Sequence, residues 1–184
     1  MIPLRRNAPV GEFQKMKKTA LTLALIFCCR CACAQSSDVD KDPKAVAEVG
    51  AAVSQSLSGE GSSLGPSIAV EVTPIENWLE LEAGVTPLFA RHSTEWDVDL
   101  VFKKPWTLSR KAEFMLGVGP EWVHSNRLGR KTNAVAGEAL ADFMFWPTGK
   151  HRFGWYFEPT YDYSFARGHE QSLGISGGLL IAIR

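Results

Sequence analysis

Twelve acidic residues occupy one repeated position in this chain: Glu48, Glu71, Glu80, Glu82, Asp97, Asp99, Glu113, Glu121, Glu138, Asp142, Glu158 and Asp162. Each falls on the polar face of a segment whose side chains alternate between apolar and polar. Against them stand only Lys103, Lys111 and Arg152, near what would be an inner rim. Uncompensated carboxylates away from water are costly, and close ones cannot all ionise. Two kinds of chemistry follow. One is a hydrated polar filling with no further role. The other is a cation-attracting lumen that holds a divalent ion or passes small cations. Carboxylate oxygens suit Ca²⁺ or Mg²⁺, but no loop shows recognisable ligand spacing, so no metal or cofactor is assigned.

A second set is basic and lies between the alternating runs: Arg91, His92, His124, Arg127, Arg130, Lys131, Arg167 and His169. Arginine and lysine in such a ring suit phosphate groups, and they equally suit solubilising loop charge. Nucleophilic catalysis needs a base within reach of a hydroxyl. His124-Ser125-Asn126 and His92-Ser93 are the only nearby combinations, and adjacent strand residues point to opposite faces. His169-Glu170 is a loop dipeptide. No enzyme is expected.

The formal charge of zero hides a split. Residues 1–34 hold Arg5, Arg6, Lys15, Lys17, Lys18 and Arg30 against Glu12, leaving 14 basic and 19 acidic residues over 35–184, a net −5. A mildly acidic body without a basic run gives no case for nucleic-acid binding. All four cysteines, Cys28, Cys29, Cys31 and Cys33, sit between Phe27 and Ala34. Their spacing is compatible with a metal site or with acylation of one thiol, although the small residues usual before an acylated cysteine are missing. The stronger reading is a secretory signal peptide. Lys15-Met16-Lys17-Lys18 is its positive region, Ala20–Cys29 its apolar region, and Ala32-Cys33-Ala34 a cleavage site before Gln35. Residues 1–34 are therefore expected to be the signal peptide, with Met16 an alternative start, and 35–44 a flexible linker. The mature barrel region would contain no cysteine.

The elements that must position the acidic set follow from period-two alternation. The clearest is Arg152–Phe165, where Phe153, Trp155, Phe157, Pro159, Tyr161, Tyr163 and Phe165 oppose Gly154, Tyr156, Glu158, Thr160, Asp162 and Ser164. Such alternation defines a strand, and its length suits a tilted bilayer crossing of about 9–11 residues. Seven further runs repeat the design: 46–57, 67–75, 78–90, 94–104, 111–124, 133–146 and 171–183. The first is the weakest, since its alanines also suit a helix. Loops are expected at 58–65, 91–93, 125–132 and 166–170, with turns at 76–77, 105–110 and 147–151. Eight consecutive strands with short connections describe an antiparallel up-and-down meander, and eight is the smallest even number that closes a membrane barrel.

Side-chain volume decides which face points out. Phe, Trp, Tyr, Leu and Ile dominate the apolar face, whereas Gly50, Gly84, Gly117, Gly119, Gly154, Gly174 and Gly178 lie on the other. An eight-stranded interior is just wide enough for side chains to fill, so the glycine-bearing acidic face belongs inside. Trp78, Trp106, Trp146 and Trp155 gather toward one rim and Trp96, Trp122 and Tyr163 toward the other, as aromatic girdles do. A soluble lipocalin-like barrel, with its apolar face inward around a ligand, is the alternative; recovery in the soluble periplasm would select it.

On these features residues 45–184 resemble the small eight-stranded bacterial outer-membrane proteins, the class containing the OmpA membrane domain and OmpX. The resemblance rests on pattern, and the chain departs from it at Ile181-Ala182-Ile183-Arg184, where a terminal aromatic is usual. It implies an all-β, eight-stranded antiparallel up-and-down transmembrane β-barrel in the Gram-negative outer membrane. Its expected partners are membrane lipid, lipopolysaccharide at Arg91, Arg127, Arg130, Lys131 and Arg167, and the barrel-insertion machinery during biogenesis. The expected role is structural or interactive, or that of a narrow porin-like lumen. Some outer-membrane barrels are lipid A deacylases that use a His and a Ser two residues apart, facing lipid together, a spacing this chain lacks.

Overall fold

The computed structural model describes residues 43–58, 61–148 and 151–183. The expected signal peptide, the four cysteines and most of the expected linker lie outside them. The described chain forms eight strands, β1 (Ala45–Ser56), β2 (Ser62–Ile75), β3 (Leu79–Ala90), β4 (Ser93–Ser109), β5 (Ala112–Arg127), β6 (Arg130–Phe145), β7 (Phe153–Ser164) and β8 (Gln171–Ile183). Each pairs antiparallel with the next, and β8 returns to β1, closing a barrel with no free edge.

Alternation sorts the two faces as expected. Val98, Leu100, Phe102, Leu116, Val118, Leu179 and Ile181 are exposed on the outside, while Glu48, Glu71, Glu82, Lys103 and Asp142 are buried within. An aromatic band crosses the exterior of four successive strands. Trp106 of β4 stacks on Phe114 of β5 at 5.8 Å, Phe114 meets Phe143 of β6 at 4.9 Å, and Phe143 meets Phe157 of β7 at 6.4 Å. The seam relies on glycine. Gly50 and Gly178 face each other across β1 and β8, and a Cβ on Gly178 would overlap the Gly50 Cα and the Val49 carbonyl. Only a residue without a side chain permits that approach.

The weakest of the expected runs, 46–57, holds as a strand, while four details differ from the sequence expectation. The 46–57 run, open to either reading, is strand β1, because both of its edges are paired. β2 begins at Ser62, so Ser62–Gly65 belong to a strand and not to the expected 58–65 loop. β4 passes through the expected 105–110 turn and ends at Ser109. Its pairing with β3 stops at Glu80–Lys103, so Pro105 sits where no β3 partner needs its missing N–H. The expected basic loop 125–132 shrinks to Leu128-Gly129, both with positive φ (50° and 82°), the backbone that matches strand twist in a two-residue hairpin. Finally, Trp146 joins no outer girdle. It follows the outward Phe145 and turns inside at 1 % exposure. There it packs with Val46, Met115, Met144, Tyr156 and Leu180 into an apolar plug at the rim where β1 begins and β8 ends.

Candidate functional site: an acidic cup on a lysine floor

Above the plug lies a layer of ion pairs. The alternation Asp97, Asp99, Val101, Lys103 places Lys103 on the inward face of β4, and the extra length of that strand puts it mid-lumen rather than at the rim. The expectation of a rim position is corrected: Lys103 is 1 % exposed. Its Nζ donates to Asp142 Oδ2 at 2.9 Å and to Glu158 Oε2 at 3.0 Å, lies 3.5 Å from Glu71 Oε2, and pairs with Glu82 Oε2. Glu71 and Glu82 stand directly opposite each other across β2 and β3. Like charges in that position repel, and the ammonium between them is what makes the pair tolerable. Glu48 completes the layer: Glu48, Glu71, Glu82 and Asp142 bring carboxylate oxygens within 4.8 Å of one another. Ser176 donates its hydroxyl to Glu158 Oε1 at 3.3 Å. Gly117 clears the lysine stem, since a Cβ there would stand 3.0 Å from Lys103 Cγ. The carboxylates assume the arrangement of a cation cage, and the cation is the protein's own.

The floor carries a cavity of about 720 Å³ that opens at the opposite rim. Asp97, Asp99, Glu121, Glu138 and Asp162 line its wall. Asp99 is directly opposite Glu121 in the β4–β5 ladder, and Glu138 is opposite Asp162 in the β6–β7 ladder, so the like-charge motif of the floor recurs twice. The charges of Asp162 on β7 and of Asp97 and Asp99 on the neighbouring β4 all act on Glu121. Gly84 makes room for Asp99, whose two carboxylate oxygens would both lie 2.7 Å from a Cβ at that position. Ser172 donates to Asp162 Oδ2 at 2.9 Å. Asp97 Oδ1, Asp99 Oδ1 and Glu138 Oε2 are buried without a hydrogen-bond partner among the described residues. Nine acidic side chains line the cavity against two basic ones, Arg127 and Arg130 at the mouth.

The twelve acidic positions thus divide. Glu48, Glu71, Glu82, Asp142 and Glu158 gather at the floor, and Asp97, Asp99, Glu121, Glu138 and Asp162 form the wall. Glu80 and Glu113 are half-buried toward the plug, outside the cavity. Lys111 and Arg152 are exposed at the rim. Two features escaped sequence reasoning. Glu95, two residues before Asp97 and therefore on the same face, lines the cup. Lys103 is the hub of the floor, a role that its parity hinted at and the short β4 expectation obscured.

The basic set is less unified. The β3–β4 and β5–β6 tips adjoin, with the Leu128 N–H donating to the His92 carbonyl at 3.4 Å and Arg127 pairing with both Ser93 and Arg130. Arg91, Arg127, Arg130 and Lys131 are therefore grouped, all exposed, whereas Arg167 stands on the separate β7–β8 loop. His124 stacks on Trp122 at 5.8 Å and its Nδ1 lies 2.7 Å from Asn133 Oδ1, while Ser125 lines the cup. His169 Nδ1 lies 3.1 Å from the Tyr163 hydroxyl.

No protein-family model matches the sequence, and comparison with curated proteins finds no significant match. Among solved structures the chain is similar to Neisserial surface protein A (NspA), with a TM-score of 0.63 at 13% identity over 76% of this chain and 97% of that one. It is also similar to Ail, the attachment invasion locus protein of Yersinia pestis, with a TM-score of 0.50 at 11% identity over 77% of this chain and 100% of that one. At such identities the likeness is one of architecture. The fold is that of the small eight-stranded outer-membrane barrels, the class the alternation pattern resembles.

Proposed function

We propose that this chain is an integral outer-membrane barrel whose lumen is a cation-holding cup, open to the outside and sealed toward the periplasm. The observation that carries the reading is the pair of same-sign ladders, Asp99 opposite Glu121 and Glu138 opposite Asp162, lining a 720 Å³ cavity with one open end. A low-dielectric wall bearing one sign of charge focuses its field and concentrates counter-ions. The exposed apolar exterior with its aromatic band supports the membrane setting. The apolar plug and the lysine floor favour a closed vessel over a conducting pore. In a lipocalin-like arrangement the apolar face would line the cavity; here it faces outward.

Membrane fractionation with a heat-modifiability gel tests the setting: recovery in the outer membrane with a shifted folded band is expected, and recovery in the soluble periplasm would overturn it. Planar bilayers test the seal. No ohmic conductance is expected, and steady cation-selective current would refute the closed floor.

The grouping of Arg91, Arg127, Arg130 and Lys131 at two touching hairpin tips favours an outer rim that pairs with lipopolysaccharide phosphates, with Arg167 across the mouth. Neutralising Arg127, Arg130 and Lys131 together should lower heat stability in lipopolysaccharide but not in neutral detergent. Equal stability in both would refute the pairing.

A further inference from the structure

The floor shows how this barrel accommodates an alkylammonium. Lys103 threads a four-carbon stem past Gly117 and seats its charge on Asp142 and Glu158, between the opposed Glu71 and Glu82. The wall repeats the opposed-carboxylate motif twice, and no described lysine enters it. Asp97, only 8 % exposed, lines the same cavity, and its buried Oδ1 has no hydrogen-bond partner among the described residues. The wall is also not a compact cage. Among the described residues, the one group of three or more potential ligand atoms within 4.8 Å is the floor set around Lys103. An inner-sphere divalent ion needs several oxygens converging on one point, which the wall does not supply. Gly119 pairs with Glu138 and lies two residues from Glu121, so the two acidic ladders are offset by about 7 Å along the strand, given a rise of ~3.3–3.4 Å per residue. Their charges are staggered along the wall across β4 to β7.

We propose that the cup binds linear aliphatic polyamines, with successive ammonium groups seated on the Asp99–Glu121 ladder, the Glu138–Asp162 ladder and Asp97. The ligand repeats Lys103 in trans: a flexible methylene chain whose charges are held by carboxylates. The cavity lies within the ~300–1,000 Å³ range of small-molecule sites. This assignment rests on the cation-cup reading and narrows it to a ligand class.

The test is calorimetric titration of the full chain, folded in lipid nanodiscs, with spermidine, MgCl₂ and KCl at matched ionic strength. Spermidine should bind with one-to-one stoichiometry and at least about tenfold more tightly than Mg²⁺. The double substitution Asp99→Asn/Glu121→Gln should abolish that preference. Glu76→Gln, on the β2–β3 turn at the opposite rim, should leave it unchanged. The wall substitutions remove like-charge repulsion, so the folded gel band should persist and report that lost binding is not lost folding. Mg²⁺ binding as tight as spermidine would overturn the polyamine assignment while leaving the cation cup standing. Absence of binding by any cation, or spermidine binding indifferent to the wall substitutions, would overturn both.

Discussion

Replacing Lys103 by methionine keeps the stem and deletes the charge, which isolates what the ammonium does. In the native lumen Nζ makes two charge-assisted hydrogen bonds, to Asp142 and Glu158, and pairs with Glu71 and Glu82. Such bonds contribute about 1.5–3 kcal/mol each, and breaking a buried pair by removing one partner costs about 3–5 kcal/mol, because the remaining charge is stranded. Here several carboxylates would be stranded at once, and protonation of some of them limits the loss. Lys103→Met should therefore destabilise the barrel by about 3–5 kcal/mol in urea unfolding from lipid vesicles. Adding Asp142→Asn and Glu158→Gln to that variant should recover more than half of the loss, since the stranded charges are gone. A second consequence is specific to this geometry. Without the lysine, Glu48, Glu71, Glu82 and Asp142 keep their oxygens within 4.8 Å and become an open cage for a hard divalent ion. Calcium should then restabilise Lys103→Met, by about 2.7 kcal/mol at a hundredfold excess over the dissociation constant, and chelation should reverse the gain. Native protein should show no such response at the floor. A Lys103→Met variant within about 0.5 kcal/mol of native, the range of ordinary surface changes, would refute the claim that one lysine holds the floor together.

Three further outcomes follow from the two faces and the seam. Phe157→Arg places a charge in the exterior aromatic band and should cost about 2–4 kcal/mol if it lies near the bilayer midplane. Glu158→Gln on the neighbouring inward position should cost less, because Lys103 retains Asp142, Glu82 and Glu71; the reverse order in unfolding measurements would invert the barrel. Gly178→Val drives a side chain into the β1 backbone at Gly50 and Val49, so the compact gel band should be lost while expression persists; an unshifted band would show that the seam tolerates bulk.

Much of this architecture is legible because a strand of fixed parity leaves little freedom. Once Phe157 is outward, Glu158 is inward, and glycines at Gly84, Gly117 and Gly154 mark the crowded side. What was not legible depends on strand length and on neighbours. Pro105 reads as a turn in isolation; only the early end of β3 shows why β4 can pass through it. That extension moves Lys103 from an expected rim position to the centre of four carboxylates. Trp146 reads as a girdle residue by type, yet its place one residue after outward Phe145 turns it into the plug. The opposed ladders Asp99–Glu121 and Glu138–Asp162 need cross-strand register, which alternation alone does not set.

An acidic cup open to the cell exterior can be measured directly, because residues 35–184 contain no cysteine and labelling above that of native protein reports an introduced thiol. Thr160, on the cup wall between Glu158 and Asp162, is replaced as Thr160→Cys in otherwise native protein. Intact cells are treated with membrane-impermeant thiol reagents of similar size and opposite charge. Labelling from outside is expected, faster by about tenfold or more with the cationic reagent, as field focusing by a one-signed cleft requires. Absence of labelling on intact cells, or an anionic reagent reacting at least as fast, would contradict the account.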